Sequence, residues 1–187
     1  PAHKEFYKCI KHKDTKIAFV DGPAGSMKTY IVYIRSIAES AEKSLGSLPG
    51  EVDDKFSPYA IPLLEKVTEI TNQGTTTMLK DKGMIDAVPV NFVRGLTFNK
   101  TLVIVDEAQN LSAGELTTIL TRFGRDSKYV VCGDCNQVDI KSSGYRNIFN
   151  KFNDKKCEEV NIHTFDFGIT EIARSKILRF ICKVLGT

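Results

Sequence analysis

The sequence predicts an α/β fold, a mostly parallel sheet with helices on both faces. Lys16–Val20, Thr101–Val105 and Lys128–Cys132 each hold an unbroken apolar run. Unbroken rather than alternating runs mark strands buried on both faces, as in parallel sheets. Each run ends in glycine or in acidic side chains: Gly22-Pro23, Asp106-Glu107, Gly133-Asp134. Between them lie stretches with helical spacing, as crossovers between parallel strands require.

The chain has 187 residues, which suits one compact domain over 1–187. With 42% hydrophobic and 26% charged residues it falls among ordinary globular proteins. No apolar run nears the ~20 residues of a membrane span, so no membrane partner is expected. A net charge of +3 leaves any nucleic-acid contact to local basic surface. The five cysteines are odd in number and scattered, which favours free thiols in a reducing compartment, the cytoplasm. Cys132 and Cys135 form a lone C-x-x-C, too little for a metal or redox site.

Residues 3–14 set Phe6, Tyr7 and Ile10 among charges, an amphipathic helix leading into the first strand. Gly22-Pro23-Ala24-Gly25-Ser26-Met27-Lys28-Thr29 follows that strand. This is a phosphate-binding loop of the form G-x-x-x-x-G-K-[ST], except that Met27 stands at the second glycine. Its backbone N–H groups would cradle phosphate. Lys28 would reach the β- and γ-phosphates, and the Thr29 hydroxyl would sit on Mg²⁺. A helix should open at Lys28-Thr29. Tyr30–Ile34 is instead β-branched and aromatic, which reads as strand. A parallel crossover takes a dozen residues or more. Either the chain takes an unusual path here, or a segment between Thr29 and Arg35 is absent; the connection length favours absence.

Leu45–Gly50 is turn chemistry. Pro58–Ile70 predicts a helix with Ile61, Leu64, Val67 and Ile70 on one face and both prolines near its start. Thr75–Lys82 predicts a short helix closed by Gly83, and Ile85–Val93 an extended edge segment. Ser112–Glu115 is a capping box opening a helix that should stop at Gly124. Gly144–Phe152 predicts a helix, Ile162–Phe167 a strand, and Thr170–Leu185 a closing amphipathic helix.

Thr101–Glu107 is an apolar run that delivers two carboxylates at a strand end, the Walker B pattern. Asp106 would hold Mg²⁺. Glu107 would polarise the attacking water as general base. Gln109 and Asn110 are placed for relay or sensing. Gly133–Gln137 ends the next buried strand with polar groups suited to reading a γ-phosphate, Gln137 among them.

Taken together, GPAGSMKT, VIVDEAQN and VVCGDCNQVDI resemble the PhoH-like family, relatives of the superfamily 1 helicase motor domain. The family's patterns run close to GPAGTGKT, LDEAQN and TGDxxQxD. The resemblance extends through Arg35-Ser36, Leu45–Gly50, Val93-Arg94-Gly95, Leu120–Gly124 and Ile172–Ser175. It implies a RecA-like P-loop NTPase core that binds and hydrolyses ATP with Mg²⁺. It also implies a helicase-type motor or switch acting on single-stranded RNA or DNA. A hexameric ring is implied too, with ATP between subunits and a neighbour's arginine completing the site. Arg122 and Arg174 are the candidates for that arginine. The compact size resembles phage-encoded members, which work in the host cytoplasm. Family members carry a helix between the loop and the strand bearing Arg35, and it is missing here. Met27 either hinders backbone approach to phosphate or points away from it. The rival reading is a ring-forming adaptor that binds nucleotide and hydrolyses it slowly or not at all. A small-molecule kinase fits less well, because Ala108-Gln109-Asn110 follow Glu107 and no lid is found.

Overall fold

The structure is a computed structural model that describes residues 2–21, 33–35, 52–168 and 176–185. Strands β1 (Ile17–Asp21), β2 (Tyr33–Arg35), β3 (Leu102–Asp106), β4 (Lys128–Gly133) and β5 (Ile162–Asp166) form one sheet. Its order is β2-β3-β4-β1-β5, and every neighbouring pair is parallel. All five strands therefore end at the same edge. Register pairs Arg35 with Asp106, and Asp21 with both Gly133 and Asp166, so these residues form a row along that edge.

The unbroken apolar runs follow from a core on each face. Phe19, Val103, Val105, Tyr129 and Val131 point to one side, where helices α4 (Ala113–Leu120) and α5 (Tyr145–Phe152) cover them. Ala18, Val20, Ile104, Val130 and Cys132 point to the other, under α1 (Ala2–Lys11) and α2 (Val52–Ile70). Successive residues thus alternate faces without leaving the interior. Burying each larger side chain stabilises the fold by about 1.5–3 kcal/mol. Phe6 of α1 meets Phe165 and Phe167 edge-on, with centroids 5.2 and 5.8 Å apart. The Tyr145 hydroxyl donates to the Val20 carbonyl at 2.6 Å, tying α5 to β1.

The expected elements need three corrections. Helix α2 starts at Val52 and runs through Pro58 and Pro62. Its buried line is Leu63 and Val67, while Ile61 and Ile70 are exposed. At 3.6 residues per turn, a strict spacing of three drifts about 60° per step and leaves the face; a spacing of four drifts less, about 40°. Residues 85–93 form no strand. Ala87 makes one bridge to Tyr33, and Val90–Phe92 turn as 3-10 helix after Pro89. Helix α4 stops at Leu120, short of Gly124.

Helix α3 (Gln73–Asp81) begins where the Asn72 side chain accepts the Thr75 N–H at 2.9 Å. Helix α6 (Lys155–Glu159), capped by Asp154, is a single short turn that periodicity did not reveal. The last helix, α7, is described over Lys176–Leu185; its expected start lies outside the described residues. No described helix is long and apolar enough to cross a membrane.

Candidate functional site

The site is built where strands β1, β3 and β4 end. Asp106 closes β3 and is buried, and Tyr33 of β2 donates its hydroxyl to Asp106 Oδ2 at 2.5 Å. Burial, then the Asp106 charge beside it, raises the Tyr33 pKa, so the phenol stays a donor. At Glu107 the backbone turns into the left-handed region (φ 51°, ψ 38°). A non-glycine residue held there costs on the order of 1–3 kcal/mol, and such strain gathers at functional sites. The turn frees Glu107 from the sheet and starts the 3-10 helix Ala108–Asn110.

Among the described residues, Gln109 and Arg35 hold the Glu107 carboxylate. Gln109 Nε2 donates to Oε2 at 2.7 Å, and Arg35 Nη2 lies 3.9 Å from Oε1. The other end of the buried Gln109 amide accepts the Asp134 N–H at 3.0 Å. Asp134 in turn accepts from Gln137 Nε2 at 2.9 Å through Oδ2, and from the Asn136 N–H at 2.9 Å through Oδ1. Glu107, Gln109, Asp134 and Gln137 thus form one hydrogen-bonded line from the end of β3 to the loop after β4. Asn110 and Asp139 exchange two further bonds, of 3.0 and 2.8 Å, between the same two loops.

On its other side the loop after β4 is anchored to β1. Asp21 Oδ1 accepts the Cys135 N–H at 3.0 Å, and Arg146 Nη1 of α5 lies 3.0 Å from Asp21 Oδ2. Burial, then the Asp21 charge, pushes the Cys135 thiol up to about 12, so it stays protonated at neutral pH. Cys132 and Cys135 pack against different core clusters, so the C-x-x-C does not converge on one ligand.

Of the predicted residues, the structure brings Asp106, Glu107 and Gln137 together. The loop Gly22, Pro23, Ala24, Gly25, Ser26, Met27, Lys28 and Thr29 lies outside the described residues, as does Arg174. Arg122 follows α4 at the opposite edge of the sheet, where its carbonyl accepts the Phe98 N–H. Tyr33, Asp21 and Arg146 were missed. The one signal for Asp21 is an acid at the strand end just before the loop. Tyr33 and Arg146 carry none, because their partners are far away in sequence.

The PhoH-like protein family model matches residues 29–186, which includes Asp106, Glu107 and Gln137. A PhoH-like protein of Bacillus subtilis (strain 168) is 32% identical over 153 residues, covering 73% of this chain and 47% of that protein. One from Mycobacterium tuberculosis (strain ATCC 25618 / H37Rv) is 34% identical over 140 residues, 66% of this chain and 40% of its own. Protein PhoH of Escherichia coli (strain K12) is 28% identical over 199 residues, 94% and 54% respectively. The chain spans about half the length of these curated relatives. With this match and the parallel α/β sheet, the chain belongs to the PhoH-like family, a family related to P-loop NTPases.

Proposed function

We propose that this chain binds and hydrolyses ATP, as a helicase-type motor or switch acting on RNA or DNA. The supporting observation is the Asp106–Glu107 pair at the carboxyl edge of the sheet. Only β4 separates its strand from β1, which runs into the Gly22–Thr29 loop. Phosphates held by that loop and a base on Glu107 would share one crevice, the usual ligand site of an open parallel sheet.

Asp106 offers the hard oxygen that Mg²⁺ prefers, and Mg²⁺ commonly takes one or two carboxylates plus substrate phosphates. Asp106 and Thr29 would hold the ion, which neutralises charge on the phosphates. Glu107 would take the proton of the attacking water, with Gln109 and Arg35 fixing its two oxygens. Lys28 would bind the phosphates and Gln137 would read the γ-phosphate. Arg122 and Arg174 remain the candidates to act from a neighbour in a hexameric ring. From the far edge of the sheet, Arg122 can serve only across such a contact. Cysteines that form no disulfide fit a cytoplasmic setting.

Glu107→Gln tests the assignment. ATP turnover should fall by about 10²–10⁴-fold, while ATP affinity stays within a few-fold of the parent. Loss of binding as well would remove Glu107 from the role of base. Met27 favours a second reading, a slow or inactive nucleotide-binding adaptor. Stimulation of turnover by single-stranded RNA or DNA supports the motor; tight ATP binding with negligible turnover supports the adaptor.

A further inference from the structure

We propose that Tyr33 is a positioning residue for the Asp106 carboxylate, and that it sets the protein's affinity for the divalent cation. The proposal rests on the reading of Asp106 as a cation-holding group. Its geometry comes from the sheet. Register places Tyr33 beside Ile104, and Ile104 and Asp106 lie on the same side of β3. Two residues of parallel strand span about 6.6 Å, a distance that a tyrosine covers with its hydroxyl at the far end. That hydroxyl meets Asp106 Oδ2 at 2.5 Å.

The donor cannot readily swing away. Besides pairing with β3, the Tyr33 backbone donates to the Asp86 carbonyl at 3.2 Å and accepts from the Val88 N–H at 3.1 Å. The ring lies in the core beneath α1 and α2, and the residue is 6% exposed. An ionised carboxylate only accepts hydrogen bonds, so the phenol must be the donor. The bond fixes the orientation of the carboxylate. Asp106 then meets a cation as a pre-oriented donor. Partners that orient a metal-holding carboxylate typically alter metal affinity by about 10–100-fold when removed.

The test uses the whole chain and its Tyr33→Phe variant, which keeps the ring and loses the donor. The Mg²⁺ concentration that half-saturates the cation-dependent tightening of ADP binding is measured by calorimetry. Mn²⁺ binding is followed separately by electron paramagnetic resonance. Tyr33→Phe should raise both half-saturation values by about 10-fold, with cation-free ADP affinity changed less than about 2-fold. In an Asp106→Asn background, Tyr33→Phe should add nothing, since the charge it serves is gone. A folded Tyr33→Phe protein with parental Mg²⁺ and Mn²⁺ half-saturation overturns the proposal. If that variant fails to fold, Tyr33→Met fills similar space without a donor and is judged by the same outcomes. Should the parent bind ADP with no Mg²⁺ dependence, and Asp106→Asn behave as the parent, the reading of Asp106 itself fails and takes this proposal with it.

Discussion

Gln109 has almost no access to solvent, yet both ends of its amide are engaged. Its N–H reaches the Glu107 carboxylate and its oxygen takes the Asp134 N–H. Gln109→Leu keeps comparable bulk and breaks both bonds. Each abandoned partner costs about 1–3 kcal/mol if it stays buried. The variant should be less stable by about that much in urea unfolding. It should also turn over ATP about 10–100-fold more slowly with nearly unchanged ATP affinity, because a misplaced base lowers the rate and not the grip on phosphate. Unchanged turnover would remove Gln109 from the positioning of Glu107. Sequence suggested a relay here, because Gln109 lies two residues from Glu107. It was silent on Arg35, which reaches the same carboxylate from another strand. Local partners can be read from spacing; partners across strands need the register.

Among the elements, α4 was legible and α2 was misread, for physical reasons. The start of α4 is local chemistry: Ser112 Oγ accepts the Glu115 N–H and Glu115 returns to the Ser112 N–H, a capping box four residues long. The buried face of α2 is set by what packs on it, so counting in threes picked Ile61 and Ile70, which face solvent. The junction of α4 with α5 is also invisible in sequence. A Cβ at Gly144 would sit 2.2 Å from the Ala113 nitrogen and 2.4 Å from its Cα, both backbone atoms. Gly144→Ala must therefore separate the two helices, and should cost about 1–3 kcal/mol in guanidinium unfolding. Gly114, in the first turn of α4, would place a Cβ in open space. Gly114→Ala should be neutral or stabilise by up to about 1 kcal/mol. Equal effects of the two substitutions would show that close approach is not what requires Gly144.

Over the whole molecule, the parallel sheet was legible because two buried faces leave unbroken apolar runs. The position of β1 between β4 and β5 was not, since strand order depends on crossovers that periodicity does not record. One property of the assembled core is measurable without any ligand. Tyr145 and Tyr129 are fully buried, and burial raises both phenols above their ordinary value of 10.0. The Cys135 thiol rises from 9.0 to about 12, with burial again the largest cause. In the unfolded chain these groups release protons at their ordinary values, while the folded chain retains them. Above pH 9 the folded state thus binds more protons than the unfolded state, and stability falls as pH rises. The contribution of Cys135 is intact below pH 9 and is lost towards pH 12; those of the tyrosines begin to fade at pH 10. Thermal melting between pH 7 and 11 should therefore decline little from these groups up to pH 9 and steeply beyond 10. Tyr129→Phe keeps the ring against Phe98 and Phe123 and removes one of the titrating groups. It should flatten the alkaline limb by at most about 1.4 kcal/mol per pH unit. A melting temperature that holds steady to pH 11 would mean that the two phenols are not retained as protonated groups in the core. A steep fall that Tyr129→Phe leaves untouched would clear Tyr129 alone and leave the other raised groups, Tyr33, Tyr145, Cys9 and Cys135, as its source.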